Sequence, residues 1–533
     1  MSRKTKQPIQ ALKGFKDILP EDQKFWDFIY NRVYQTVLDY GFKKIDPPIL
    51  EDAHIYMKGT GQHSDIVEKE LYVFEDKGGG LVALRPEFTP GVVRSYIEHG
   101  MQNQPQPVKL FSFGPIFRHD NPQAGRFRQF YQFNCEIIGS DSPDMDSQLI
   151  TMLSGLFKFF GLDTMIEINS IGCHECRPVY IKQLIKFLKK DSAKLCTTCQ
   201  ERIVKNPLRI LDCKNKACAA ATVQAPQIVD YLCEPCKKHF VKVLENIDDV
   251  NIIYSLNSRL VRGLDYYTRT VFEVFLNEEI LTDRPEGAEK IALAGGGRLD
   301  GLAEILGGRP TPVVGVAGGV ERVISAMRRL KIDVPDPGQA DVFIAQLGEE
   351  AKKKCLKLFE DMRHCNIKVR EAFAKNGLKA QLEVADKLGV KYTLILGQKE
   401  IMDGTIIVRD MSSGIQEIIV YENVVEEIKK RLLDSNCVKI YLDETQKKSA
   451  FDVSDSKAEI KEHKKERHHY NQDENDFSSK PVVEFNHPFE NITADQDENE
   501  PKNYNTSEDV DFDLGSEEGA LENPNDLDDD WTN

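Results

Sequence analysis

The stretch Arg262-Gly263-Leu264-Asp265-Tyr266-Tyr267-Thr268-Arg269-Thr270-Val271-Phe272-Glu273 is the most telling in this chain of 533 residues. Gly263 lets the backbone come close to a ligand. Arg262 beside it offers a forked cation suited to a phosphate or a carboxylate. Tyr266 and Tyr267 offer aromatic walls with hydroxyl groups. Val271 and Phe272 predict that the run enters a strand, which would set these groups on a rigid element. Such a make-up suits the floor of a site for a small polar ligand better than a plain core strand.

The rest of the composition is that of a large globular protein, 41% hydrophobic and 29% charged, enough for two to four domains with a sizeable core. No apolar run approaches the roughly 20 residues of a membrane span. Met1 to Gln10 is polar and lacks the apolar core of a secretory leader, so a cytoplasmic location is expected. The 12 cysteines should then be reduced or metal-bound rather than paired. Residues 441–533 hold 27 Asp and Glu against 9 Lys and Arg, which leaves residues 1–440 at about +2 of the chain's net −16. The acidity therefore belongs to a tail too poor in apolar residues to fold, expected to be disordered, and the near-neutral body is compatible with a nucleic-acid partner.

Along the body, Glu21 to Tyr40 carries Phe25, Phe28, Ile29, Val33 and Val37 at helical spacing, closed by Gly41. Phe42 to Leu50, with Pro47 and Pro48, reads as extended. Strands and turns are expected from Leu71 to Gly139, a helix from Asp144 to Gly161, then a mostly helical segment with cysteine pairs from Cys173 to Cys236. Strands resume at Ile252, followed by a glycine-rich run, Gly295 to Gly319, and a helix from Val320 to Leu330. Beyond the linker Pro335-Asp336-Pro337-Gly338, strands alternate with helices, predicting an α/β domain with a mostly parallel sheet. The expected divisions are 1–168, 169–245, 246–334, 340–434 and the tail 441–533.

Four close cysteine pairs fall in one segment: Cys173-x₂-Cys176, Cys196-x₂-Cys199, Cys213-x₄-Cys218 and Cys233-x₂-Cys236. This is thiolate spacing for tetrahedral zinc, and eight ligands suffice for two structural Cys₄ sites.

The Arg262–Glu273 stretch resembles the histidine-binding motif of the histidyl-tRNA synthetases, and further segments extend the likeness from about Ala11 to Leu433. The helix followed by a proline-bearing strand is similar to motif 1 of class II aminoacyl-tRNA synthetases, which implies a homodimer through that region. Phe117-Arg118-His119-Asp120 followed by Arg126 to Glu136 resembles motif 2, strand, loop and antiparallel strand. Strand alternation would put Arg126, Arg128, Phe130, Gln132, Asn134 and Glu136 on one face. Gly315 to Arg322 resembles motif 3. Leu378-Lys379-Ala380-Gln381 and Ala385-Asp386-Lys387-Leu388-Gly389 are similar to the family's anticodon-binding domain.

The resemblance implies an α+β core built on an antiparallel sheet, a helical insert and a C-terminal α/β domain that binds the anticodon of tRNA(His). It implies ATP-dependent activation of L-histidine to an adenylate, with Mg²⁺, followed by transfer to tRNA. By residue, it gives the histidine amino group to Glu87, with Thr89 beside it, both read here as facing one way on a strand. It gives the α-phosphate to Arg118 and Arg262, the ATP site to Asp120, Arg126 and Arg322, and the histidine to Gln132, Glu136, Tyr266 and Tyr267. Three positions depart from the family pattern: Phe88 stands for glycine, Asp120 for glutamate and Leu299 for tyrosine. Two other readings share the core: a regulatory histidine-sensing relative without catalysis, opposed by the complete histidine motif and the C-terminal domain, and an RNA-binding scaffold, opposed by Glu87, Arg118, Gln132, Glu136, Arg262 and Arg322.

Overall fold

The computed structural model describes residues 9–61, 64, 66–120, 126–277, 290–336 and 338–433. Residues 1–8 of the polar start, 121–125 of the strand–loop–strand segment, Pro337 of the linker and the whole acidic tail lie outside the described residues.

The first helix runs Pro20–Asp39, with proline in its first turn beside Glu21 and Asp22, where a fixed φ and negative charge suit a helix start. It buries Phe25, Ile29, Val33 and Val37, one stripe at fourfold spacing. Gly41 follows at φ +79°, the left-handed turn that ends it.

That stripe packs on an eight-stranded sheet. Its strands lie in the order Lys43–Lys44, Val108–Phe117, Gln129–Ile138, Val313–Gly319, Ala292–Arg298, Thr268–Leu276, Thr164–Ser170 and Tyr254–Leu256. Neighbours are antiparallel throughout except at the two edges, where Lys43–Lys44 and Tyr254–Leu256 join parallel. Side chains alternate between faces. Phe133, Cys135, Ile137, Val314, Val316, Phe272 and Val274 point into one core with the helices Pro20–Asp39, Pro143–Phe159, Glu234–Asp249 and Val320–Arg329. The opposite face carries Asn134, Ala317, Gly295 and Glu273 in register across four strands. It is partly covered by a second core that includes Val92 and Tyr96 of the helix Thr89–Glu98 and Leu184 of the insert. What is left open on that face is the site described below.

One fully buried cation fastens the sheet to the helix layer. Arg298 donates from Nε to Asp146 Oδ2 at 2.8 Å and to the carbonyls of Ser140 and Ser142, and Asp146 also meets His239 Nε2 at 3.3 Å. A buried guanidinium is tolerated because these partners satisfy its donors.

Two helices, Ala53–Gly59 and Thr89–Glu98, lie where extended chain was expected or no helix was foreseen. The second corrects the reading of Glu87 and Thr89. The strand Leu81–Leu84 ends before them, and Thr89-Pro90 opens the helix. Proline at the second position is compatible with a helix start, a signal that outweighs the apparent alternation.

The insert is built of the helices Arg177–Lys190, Thr197–Lys205, Lys216–Ala221 and the first turn of Glu234–Asp249. The C-terminal domain has a five-stranded sheet in the order Val369–Glu371, Val342–Gln346, Tyr392–Leu396, Thr405–Asp410 and Gln416–Val420. Its first three strands are parallel and its last two join antiparallel, so the sheet is mixed rather than mostly parallel. The chain between Asp410 and Gln416 is a short turn, too short for the crossover that a parallel pair needs. Helices lie against both faces, Glu349–His364 and residues 424–433 with one core, Leu378–Lys387 with the other.

A Cβ on Gly296 would sit 2.2 Å from the Gly315 carbonyl oxygen and 3.0 Å from the Phe272 ring. Gly296→Ala should therefore destabilise the body by about 1–3 kcal/mol, read as a lower urea midpoint with an unchanged slope; an unchanged midpoint would contradict this packing.

Candidate active site

The open face of the sheet forms a cavity of about 740 Å³. Its floor depends on missing side chains. A Cβ on Gly295 would fall 2.5 Å from Arg262 Nη1, so glycine there lets the guanidinium lie flat against the strand. Arg262 is held by Glu273 through Nη1 and Oε1 and lies with its Cζ 5.2 Å from the Tyr267 ring centroid, a cation–π distance. Gly315, opposite Glu136 on the neighbouring strand, leaves the space above it to the glutamate side chain.

One end of the cavity concentrates buried acceptors. Glu87 Oε2 accepts a 2.7 Å hydrogen bond from the Tyr266 hydroxyl. Thr89 Oγ1 donates to Glu136 Oε1 at 3.0 Å, and Asn134 Nδ2 reaches the same oxygen at 3.4 Å. Glu87 Oε1, Glu136 Oε2 and Gln132 Oε1 are buried with no hydrogen-bond partner among the described residues, as is Arg262 Nε. Buried polar atoms are costly unless satisfied, so this end is chemically prepared for a ligand rich in N–H donors. Burial pushes the Glu136 carboxyl up to about 8, with the neighbouring Glu87 adding to the rise against the Thr89 and Asn134 hydrogen bonds. Burial also raises Glu87, opposed by Tyr266 and by the positive charges of Arg118 and Arg262.

The cavity is cationic as well, and Arg118 and Arg262 lie close enough to Glu87 to act on its charge. Arg118 follows the strand Val108–Phe117 and is steadied by its Nε bond to the Pro86 carbonyl at 2.9 Å. Arg126 pairs with Asp120, Nη1 to Oδ2 at 3.0 Å. Arg322, in the first turn of the helix Val320–Arg329, donates to the Ala292 carbonyl at 2.8 Å. Arg118, Arg126, Arg262 and Arg322 all line the cavity, as do Lys69 and Arg209.

Of the residues singled out by sequence, Glu87, Thr89, Arg118, Asp120, Arg126, Gln132, Arg262, Tyr267 and Arg322 line this one cavity. Glu136 and Tyr266 stand directly behind it, bonded to Thr89 and Glu87. Arg128, expected on the same face, instead turns toward Gly14 and the Asp120 carbonyl, because the strand starts only at Gln129. The groups of Arg262 to Tyr267 sit on the irregular approach to the strand Thr268–Leu276 rather than on it. Phe88 points away into a core, with Arg85 over its ring at 4.2 Å, which accommodates its departure from glycine. Leu299 is buried at the cavity wall.

Three further residues were not assigned from sequence. Glu321 receives the Tyr131 backbone N–H on both oxygens, at 3.0 and 3.1 Å, and burial raises it to about 7. Its pairing with Arg322 was the only sequence signal. Arg209 and Asp212 reach the cavity from the insert, a placement that no local pattern announces.

The eight cysteines of the insert gather into two groups, Cys173, Cys176, Cys233 and Cys236, and Cys196, Cys199, Cys213 and Cys218, with each set of sulfurs within 4.8 Å. The first pair thus joins the fourth and the second joins the third. Cys173 Sγ lies 3.7 Å from both Cys176 Sγ and Cys233 Sγ. A disulfide needs about 2.05 Å, whereas zinc bonds of about 2.3 Å in a tetrahedron separate sulfurs by roughly 3.8 Å. Donor type, number and spacing all fit a tetrathiolate metal.

Comparison with known proteins agrees with this architecture. The family model for histidyl-tRNA synthetase matches residues 14–323, and that for the anticodon binding domain matches residues 341–431. A histidine–tRNA ligase of Dehalococcoides mccartyi is 42% identical over 424 residues, covering 79% of this chain and 100% of the relative. One from Pelotomaculum thermopropionicum is 41% identical over 421 residues, covering 79% and 97%. Among solved structures, the apo histidyl-tRNA synthetase of S. aureus superposes with a TM-score of 0.67 at 35% identity, covering 79% of this chain and 99% of that one. The chain belongs to the histidyl-tRNA synthetase family.

Proposed function

We propose that this chain, a class II histidine–tRNA ligase, performs both steps of its reaction in the cavity over Gly295 and Gly315. The observation that carries the proposal is that one cavity brings the buried, unpartnered oxygens of Glu87, Gln132 and Glu136 together with the guanidinium groups of Arg118, Arg126, Arg262 and Arg322. In this reading Glu87 takes the histidine ammonium, with Thr89 bracing Glu136 beside it. Gln132 meets the backbone end, and Glu136 and Tyr267 hydrogen-bond the two ring nitrogens, with Tyr266 fixing Glu87. Such a pocket rejects apolar rings because they leave its polar groups unpaired.

The histidine carboxylate attacks the α-phosphorus of ATP and pyrophosphate leaves. Phosphoryl transfer of this kind depends on positioning and charge stabilisation. Arg118 and Arg262 flank the α-phosphate, Arg322 holds the leaving phosphates, and Asp120, paired to Arg126, steadies the nucleotide end. Mg²⁺ bound to the ATP phosphates would supply charge neutralisation there. A 3′-terminal hydroxyl of tRNA(His) then attacks the adenylate carbonyl, and AMP leaves. The anticodon is read by the domain at 340–434.

The proposed organisation has a catalytic core in two parts, 1–168 and 246–334, around the insert 169–245. The core pairs with a second copy through the motif 1 region, where the two-residue edge strand Lys43–Lys44 and the exposed Ile49 and Leu50 are available for pairing. Both cysteine groups hold structural zinc. No helix of the described residues is long and apolar enough to cross a membrane, in keeping with a cytoplasmic site of action.

Arg262→His should leave histidine binding in place while slowing histidine-dependent pyrophosphate exchange by about 10²-fold or more; a rate within about twofold of the parent would remove Arg262 from the reaction. The raised Glu136 carboxyl gives a second test. Its folded value, about 8, lies above the ordinary 4.5. Its contribution to stability is therefore fullest below about 4.5 and is lost as pH rises to about 8. Glu136→Gln should raise the melting temperature of the ligand-free protein at pH 8 by a few degrees and change it little at pH 5, while abolishing tight histidine binding. An equal shift at both pH values would contradict the burial of an ionisable Glu136.

A further inference from the structure

The outer cysteine group closes the insert at its root, where the chain leaves the strand Thr164–Ser170 and returns through Cys233 and Cys236 to the helix Glu234–Asp249. Arg177 follows Cys176 directly and is the first residue of the helix Arg177–Lys190. Its side chain does not run to solvent. Nε donates to the Ile171 carbonyl at 3.0 Å, and Nη2 donates to the carbonyls of Gly172 at 3.0 Å and Tyr267 at 2.5 Å. One guanidinium thus ties the base of the cysteine group to the backbone of the loop that carries Tyr266 and Tyr267.

The rest of the local geometry holds the guanidinium in that place. The Cys173 N–H donates to Cys176 Sγ at 3.2 Å, and the Arg177 N–H donates to the Cys173 carbonyl at 3.0 Å. Gly172 adopts φ +67°, and a Cβ there would fall 2.7 Å from Cys176 Sγ, so chain and sulfur approach as closely as glycine allows. The Gly172 carbonyl also accepts from the Arg269 N–H at 2.9 Å, and Ile171 N–H donates to the Arg269 carbonyl at 2.8 Å. Arg269 itself sits at φ +47°, an uncommon conformation for a residue with a side chain. The loop and the cysteine group therefore share one rigid junction, and the ligand-facing tyrosines lie two and three residues before Arg269.

We infer that the metal of the outer group, with Arg177 as the positioning residue, sets the histidine loop at the height at which Tyr266 braces Glu87 and Tyr267 faces the ligand. A tetrahedral zinc fixes Cys176, Cys176 fixes the start of the helix, and Arg177 carries that position to the Tyr267 carbonyl. Metal at this site then governs affinity for the amino acid rather than the fold of the core. This rests on the reading of the cavity as a histidine site.

The test is steady-state pyrophosphate exchange on the full chain, with zinc counted by elemental analysis. Arg177→Met should raise the KM for histidine about tenfold, with kcat and the KM for ATP moving less than threefold and two zinc per chain retained. Arg177→Lys, which keeps one donor, should recover part of the loss. Cys233→Ser should lose one zinc and show the same histidine defect, and adding Arg177→Met to it should raise KM little further, because both act through one junction. Stripping metal from the parent with a chelator gives the same comparison without a substitution. The inference is overturned if Arg177→Met raises the KM for ATP as much as that for histidine, if the two defects multiply in the double variant, or if loss of the outer zinc leaves the histidine KM unchanged. A parent that binds no zinc overturns the metal half alone, with Arg177→Met still deciding the role of the arginine. A parent without histidine-dependent exchange would refute the proposed site itself, a separate outcome.

Discussion

The bare strip of backbone at Gly295 and Gly315 is the constraint on which the site depends. An antiparallel sheet presents a side chain to each face at every second residue, and a full row would fill the space that the ligand needs. Here one row runs Asn134, Ala317, Gly295, Glu273 across four strands. Its centre is nearly flat, and the long side chains at its margins lean over the gap. Arg262 lies on Gly295, and Glu136 rises beside Gly315. The opposite face of the same strands is ordinary core, packed by Phe133, Cys135, Val314, Val316 and Phe272 against the helices. The rigid half of the sheet thus supports a polar half in which the buried oxygens Glu87 Oε1, Glu136 Oε2 and Gln132 Oε1 have no partner among the described residues. Their desolvation is a cost carried by the empty enzyme, and a ligand that supplies the missing donors removes it.

Much of this was legible in the sequence. The first helix and its buried stripe followed from spacing. The tyrosine-bearing loop was marked by its unusual density of ligand-binding side chains, and the cysteine spacing announced thiolate groups. What failed did so for identifiable reasons. Glu87-x-Thr89 has the alternation of a strand, but Pro90 makes Thr89 a helix start, and the two side chains converge on the cavity across a turn. Arg128 shares the parity of Gln132, yet lies before the strand begins and turns toward Gly14. The C-terminal sheet is half antiparallel: one short turn joins its last two strands, and the strand Thr405–Asp410 also runs antiparallel to Tyr392–Leu396 after the helix Gln398–Asp403. Arg298 read as part of a glycine-rich run, whereas its burial against Asp146 joins residues 152 positions apart. Pairings over such distances have no local signature, and the same is true of Arg209 and Asp212 entering the cavity from the insert.

The insert links the two kinds of chemistry in the chain. Its cysteine groups nest, the outer pairs closing around the inner ones, so the segment is fastened at its root as well as at its far end. Its apolar residues, Tyr180, Leu184, Leu188, Ile203 and Ile210 among them, are buried, and metal cross-links would add to that packing. The same root touches the histidine loop through Arg177, which makes the insert part of the site's support and not only an addition to its rim.

The central claim is that the cavity recognises its amino acid by satisfying buried polar groups and not by ring size. The most direct measurement is the ratio of kcat/KM in pyrophosphate exchange for histidine and for 2-thienylalanine, whose five-membered ring is of similar size but has no nitrogen. A site built on unsatisfied buried acceptors predicts a ratio of about 10⁴ or more. A ratio below about 10² is what a pocket that senses only shape would give, and it would contradict this account.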